Sequence, residues 1–199
     1  MKKILVFLMV FMAAVSVKSQ KFTLGAHVGA NMSTFTTDLS EITNEFKANP
    51  TFGIFARFGE KFYLQPELAY TIKGGELKDE TDGTVEVTLK EVAVPVLLGW
   101  RIINLDLINL RIMAGPSAGF VVNKKTEAKN LVTNPIPEED LKDIAWGLQM
   151  GAGVDVWRFT FDVRYELGLN DLYDPSSGAE DSEMKNNCYH FILGFKLIK

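Results

Sequence analysis

The chain has 199 residues, 47% hydrophobic and 23% charged, with 21 basic against 25 acidic side chains. That balance excludes the basic patch that nucleic-acid binding requires, and a single cysteine, Cys188, excludes an internal disulfide. The length fits one domain, and β-barrels commonly reach this size as a single unit.

Met1 to Ser19 reads as a cleaved secretory signal peptide. Lys2 and Lys3 form the basic start, Ile4 to Val15 the apolar run, and Val17-Lys18-Ser19 an A-x-A-like cleavage site before Gln20. The apolar run is shorter than the roughly 20 residues that span a bilayer as a helix. A lipoprotein would need a cysteine where Gln20 stands. The expected mature domain is therefore residues 20–199. Without the three leader lysines it carries 18 basic and 25 acidic residues, a net charge of −7.

Eight strand patterns follow, recognised by apolar residues at every second position. Phe22 to Asn31 comes first, then Phe52 to Phe58. A short turn, Gly59-Glu60-Lys61, leads into Phe62 to Lys73. In Val85 to Trp100 the apolar residues are odd up to Leu89 and even from Val92, which predicts a bulge near Lys90-Glu91. Ile108 to Asn123 is the fifth pattern. Ile144 to Asn170 holds the clearest pair, a hairpin turning at Trp157-Arg158. It sets Val156 against Phe159, Val154 against Phe161 and Met150 against Tyr165. Its other face sets Gly153 against Asp162, Gly151 against Arg164 and Gln149 against Glu166, small residues opposite large charged ones. Cys188 to Lys199 closes the set, with Cys188 expected at the rim. Pro66, Pro95 and Pro116 fall inside strands, and proline lacks the ladder donor, so local bulges are expected there.

Loop lengths alternate. Short turns lie near Gly59, near Ile102-Leu105 and at Trp157-Arg158. Long loops are expected over Met32 to Asn49, Gly74 to Thr84, Lys124 to Asp143 and Asp171 to Asn187. An even strand number with short turns at one rim and long loops at the other is the plan of an outer-membrane barrel. The expected fold is an all-β, eight-stranded, antiparallel up-and-down transmembrane β-barrel.

Alternation alone also admits a soluble, lipocalin-like barrel with its apolar face inward. Charges deep in strands, abundant glycine on the same face, and aromatics near strand ends all favour the apolar face outward. Those aromatics are Phe22, Phe58, Phe62, Trp100, Phe120, Trp146 and Phe159, placed as interfacial girdles are.

Five segments carry a resemblance: FYLQPELAYTIKGG (Phe62 to Gly75), LKEVAVPVLLGW (Leu89 to Trp100), IMAGPSAGFVV (Ile112 to Val122), YELGLNDLY (Tyr165 to Tyr173) and the ending FILGFKLIK. With GAHVGANMS near the start, the chain resembles the PorT-like outer-membrane β-barrel family of Bacteroidetes over nearly its whole mature length. The resemblance implies an eight-stranded barrel in the outer membrane and no catalytic residues. One branch of that family is linked to protein secretion.

The candidate site is a lumen charge network of Arg57, Glu67, Arg111, Asp155, Asp162, Arg164, Glu166 and Lys196. Both signs are present, four of each, and isolated buried charge is costly, so the groups should pair into a structural plug. A proton or ion path, or a switchable gate, is the functional alternative. His27 and His190 fall on the polar face of the first and last strands, which closure makes neighbours, so the imidazoles could approach each other. No further ligands are assured nearby, so no metal site is assigned. No G-x-S-x-G elbow is present, and the GAHVGA and GAGV glycines are strand residues rather than phosphate cradles. The acidic loop residues Asp79, Glu80, Asp82, Glu138, Glu139, Asp140, Asp171, Asp174, Glu180, Asp181 and Glu183 read as solvated tips. They lack the ordered spacing of a calcium loop.

Three functions remain in view. The first is a non-catalytic outer-membrane barrel with an envelope structural, adhesion or secretion-associated role through loops and turns. Its expected partners are outer-membrane lipid, lipopolysaccharide and envelope or secretion-machinery proteins, with no nucleic acid and no cofactor. The second is a secreted lipocalin-like carrier of a hydrophobic ligand, and the third a rim-active lipid-modifying barrel enzyme.

Overall fold

The computed structural model describes residues 21–37, 43–78, 84–105, 107–129, 142–170 and 184–198. The leader and the acidic loop tips named above lie outside the described residues. Eight strands follow one another in chain order: β1 (Phe22–Thr37), β2 (Thr43–Gly59), β3 (Phe62–Lys78), β4 (Thr84–Asn104), β5 (Ile108–Lys129), β6 (Ile144–Val156), β7 (Phe159–Gly168) and β8 (Met184–Ile198). Each pairs antiparallel with the next, and β8 pairs with β1, so the sheet is a closed barrel. Closure leaves no edge strand, which is the condition for crossing lipid by strands, because hydrocarbon offers backbone groups no partner.

The β6–β7 hairpin has the register its alternation predicts: Val156↔Phe159, Met150↔Tyr165, Gly153↔Asp162 and Gln149↔Glu166. Its turn needs a left-handed residue at the first central position, normally glycine. Trp157 takes that conformation, with φ 53°. Backbone bonds also tie the short turns to their neighbours around the rim. Gly59 donates to Lys21, Arg101 to Lys61, Trp157 to Leu107 and Lys196 to Arg158.

Outward and inward faces are sharply divided. Phe62, Leu98, Phe52, Leu193 and Phe161 are exposed on the outside, Phe62 by 69%. Arg57, Glu67, Arg111, Asp155, Asp162 and Arg164 are buried within. An apolar exterior around an ionised interior is the inverse of a water-soluble barrel, so the lipocalin-like alternative fails. At the short-turn rim the aromatics pair, Phe22–Phe58 tilted at 5.2 Å, Phe62–Trp100 stacked at 5.9 Å and Phe159–Phe195 edge-on at 5.3 Å between centroids.

Three expectations are corrected. The loops are shorter than the hydrophobic pattern predicts. β1 pairs with β8 out to Thr37↔Met184, β2 with β3 out to Thr43↔Lys78, and β4 with β5 out to Thr84↔Lys129. Beyond the bilayer no face must be apolar, so the ladder continues where hydrophobic alternation has ended. Cys188 consequently sits well inside the tube, fully buried, opposite Glu166 and Ser33.

The bulge near Lys90-Glu91 exists, but its extra residue is in β5. Lys90 pairs with Asn123 and Glu91 with Val121, leaving Val122 over, while β4 keeps one register against β3. The parity of β4 therefore never switches. Leu89, Glu91 and Ala93 are all buried inward, and Leu89 is an apolar side chain on the lumen face.

The prolines need no bulge. The β2–β3 ladder passes from Phe55↔Glu67 to Phe58↔Leu64 around Pro66 with its register unchanged. Pro95 pairs with Ser117 and Pro116 with Leu148, again without a shift. A rung without its donor bond is tolerated because the flanking pairs hold the strands in place.

Val163 lies mid-strand on the exposed face of β7, between Ala152 and Phe191. Val163→Arg is expected to destabilise the barrel by about 2–4 kcal/mol in bilayers. Urea unfolding in lipid vesicles measures this, and an unchanged midpoint would mean that the residue does not face lipid.

Candidate functional site

The parity that turns apolar side chains to the exterior turns the alternate residues into the tube. Eight-stranded barrels are just wide enough for side chains to fill. Glycine makes the room: a Cβ on Gly153 would collide with the Asp162 carboxylate and the Arg111 guanidinium, and one on Gly99 would enter the Tyr63 ring.

All eight charged residues of the predicted network lie buried in this lumen. Six of them, with Gln65, close a ring. Arg57 Nη1 donates to Asp155 Oδ2 at 2.8 Å, and Arg111 Nε to Asp155 Oδ1 at 2.9 Å. Arg111 Nη2 bonds Asp162, whose other oxygen accepts from Arg164 Nη2 at 2.7 Å. Arg164 then grips Glu67 with both terminal nitrogens, at 2.9 and 2.8 Å. Gln65 completes the circuit, donating to Glu67 and accepting from Arg57 Nε at 2.7 Å. The ring draws on β2, β3, β5, β6 and β7, and three guanidiniums balance three carboxylates. Arginine suits it because its planar fork satisfies two acceptors at once. Tyr63 packs against the ring: the Arg57 guanidinium lies 4.8 Å from its centroid, and Arg111 donates to its hydroxyl at 3.3 Å.

A second cluster stands on the long-loop side. Lys73 Nζ is 2.7 Å from both Glu91 Oε1 and Glu166 Oε1. Glu166 Oε2 also accepts from Gln149 at 2.7 Å and meets His190 Nε2 at 3.1 Å. Arg164 reaches Gln149 Oε1 at 3.5 Å, which links the two clusters. On the short-turn side, Lys196 Nζ lies 3.0 Å from Asp155. The lumen is thus bridged by side chains from Lys196 to Glu91.

The sequence reading missed Lys73, Glu91 and Arg101, all of them buried. Lys73 already lay on the polar parity of β3. Glu91 follows from the odd parity of β4, which a bulge placed in β4 itself conceals, whereas Arg101 lies just past the expected strand end at Trp100.

The two imidazoles do not meet. His27 is opposite Gly53 and Gly194, whereas His190 is opposite Asn31, four residues along β1 or roughly 13 Å at strand rise. Both lie buried in the lumen rather than at a rim. His27 turns edge-on to Phe55, and neither of its ring nitrogens has a partner. Among the described residues no group of three or more His, Cys, Asp or Glu side chains could hold a metal ion. Outside the wall, a hydrogen bond from Lys21, 2.7 Å away, holds the Glu60 carboxyl below its usual pKa.

Apolar walls, aromatic rim pairs and an ion-paired filling together describe a small membrane barrel. Residues 18–174 match the family described as Outer membrane protein beta-barrel domain. The chain belongs to that family. Its place is accordingly the outer membrane. Among solved structures, OprG of Pseudomonas aeruginosa is similar in fold, with a TM-score of 0.54 and 12% identity over 92% of this chain and 98% of that one. Ail, the attachment invasion locus protein of Yersinia pestis, matches at a TM-score of 0.44 and 16% identity, over 89% of this chain and 99% of that one. Neisserial surface protein A gives 0.47 and 8%, over 87% and 97%. No curated protein sequence matches the chain.

Removing one member of the ring strands its partners. Arg111→Met is expected to cost about 3–5 kcal/mol, since Asp155 and Asp162 both lose a guanidinium. The double variant Arg111→Met/Asp162→Leu should lose less than the single one. Urea midpoints of both proteins in micelles test this, and a double variant no more stable than Arg111→Met contradicts the pairing.

Proposed function

We propose that this outer-membrane barrel is a closed, non-catalytic anchor that acts through its loops and turns. The supporting observation is the bridged lumen. Among the described residues, the tube is bridged from Lys196 to Glu91 by mutually bonded side chains, an arrangement that opposes passage of a solute. Activity then belongs to what projects beyond the wall. By the plan of outer-membrane barrels the short turns face the periplasm and the long loops the exterior. Lipid and lipopolysaccharide surround the wall, and envelope proteins meet the loops.

The role within the envelope is adhesion, structural support or assistance to secretion. The resemblance to the PorT-like barrels of Bacteroidetes favours the last of these. A rim-active enzyme finds no support in the histidines, because both are held inside the tube.

Two measurements test the reading. In planar bilayers the purified protein is expected to show no steady conductance above the lipid background, and a stable open channel would overturn the closed lumen. In cells, replacing 131–141 and 172–182 by short Gly-Ser linkers should leave barrel levels unchanged and abolish cross-links to neighbouring envelope proteins. An unchanged cross-link pattern would contradict action through the loops.

A further inference from the structure

We propose that the short-turn mouth of the barrel holds a binding site for a small free oxyanion, a carboxylate or a phosphate. The inference rests on the geometry of the mouth and is independent of the role assigned to the loops.

A cavity of about 160 Å³ opens at this end, lined in part by Lys21, Glu60, Arg101, Asn109 and Lys196. Its charge does not balance. The described lining residues contribute three cations against one carboxylate, and that carboxylate, Glu60, is held by Lys21 at 2.7 Å. Lys196 does lie 3.0 Å from Asp155. Asp155, however, belongs to a ring whose three carboxylates already face three guanidiniums, so Lys196 is a cation in excess of it. Arg101 has no carboxylate within ion-pair distance among the described residues. Its Nη1 donates to the backbone oxygen of Glu60, and its guanidinium rests 5.4 Å from the Tyr63 centroid.

Two buried polar atoms at this mouth lack partners. Arg101 is only 8% exposed and Asn109 only 9%, yet Arg101 Nε donates to nothing and Asn109 Oδ1 accepts from nothing. Buried polar groups are nearly always hydrogen-bonded, and an orphaned charged donor needs an explanation. An oxyanion supplies it. One of its oxygens accepts from Arg101 Nε, its charge offsets the surplus of Arg101 and Lys196, and a hydroxyl or N–H on the same ligand donates to Asn109. A planar or tetrahedral oxyanion matches the arginine fork. The cavity admits phosphate or a short carboxylate.

The test titrates the folded mature barrel in zwitterionic detergent at low ionic strength, where screening is weak. Inorganic phosphate and acetate are separate arms, read by calorimetry. Saturable binding of at least one, with a dissociation constant on the order of 1 mM, is expected. Arg101→Gln should weaken it about tenfold or more, equivalent to about 1.4 kcal/mol, whereas Lys61→Gln in the adjoining turn leaves it unchanged. If Arg101→Gln fails to fold, the wild-type NMR signals of Arg101 Nε–H and the Asn109 amide replace it, and both must shift as phosphate, which carries an O–H, is added. No saturation by either anion, an unaltered constant in Arg101→Gln, or side-chain signals that stay in place would each overturn the site. Binding seen only when phosphatidylglycerol is added to the micelle would put the anion on a lipid headgroup and overturn the free ligand.

Discussion

A membrane-spanning strand has two faces and two unlike solvents, and a narrow barrel supplies only one of them in quantity. Hydrocarbon takes the outward residues of this chain without penalty. The inward residues meet neither lipid nor bulk water, so each charge there must find its opposite among side chains of other strands. The ring through Arg57, Asp155, Arg111, Asp162, Arg164, Glu67 and Gln65 is the outcome. It makes the strand register consequential. A one-residue slip of β7 would send Asp162 and Arg164 into lipid and bring Phe161 and Val163 into the tube. The ion pairs thus specify the arrangement as much as they stabilise it, since a buried pair replaced by apolar side chains is often no less stable.

Much of this was legible in the chain. The β6–β7 register followed from the parity change at Trp157-Arg158, and the eight network residues followed from parity alone. What remained hidden has physical causes. Strand ends beyond the bilayer carry no hydrophobic alternation, so Gly74 to Lys78 read as loop although it pairs with β4. Leu89 is an apolar residue that points inward, and taking it for an outward one displaced the bulge from β5 to β4. Glu91 was lost through that misreading, and Arg101 because the expected strand stopped at Trp100 whereas β4 runs on to Asn104. Proline at Pro66, Pro95 and Pro116 suggested irregularity, yet neighbouring rungs hold the register. Partnership between charges was the least legible feature, because Arg57 and Asp155 are separated by 98 positions in the chain.

The distribution of charge along the tube also divides the molecule. The ring is neutral. Above it, two carboxylates share Lys73 beside His190. Below it, Lys196 and Arg101 stand at the short-turn mouth, where among the described residues Lys196 pairs with Asp155 of the ring and Arg101 with no carboxylate within ion-pair distance. Within the described lumen, a bridged middle thus lies between an acidic cluster and a basic mouth.

The central claim concerns which face of the wall meets lipid and whether the tube is filled. Spin labels placed singly along β8 from position 189 to 195 in lipid vesicles, with oxygen and a water-soluble nickel chelate as relaxing agents, address both together. The account predicts high oxygen and low nickel accessibility at 189, 191, 193 and 195, and little of either at 192 and 194. Oxygen maxima at the even positions would mean an inverted wall. Nickel maxima there would mean a water-filled channel.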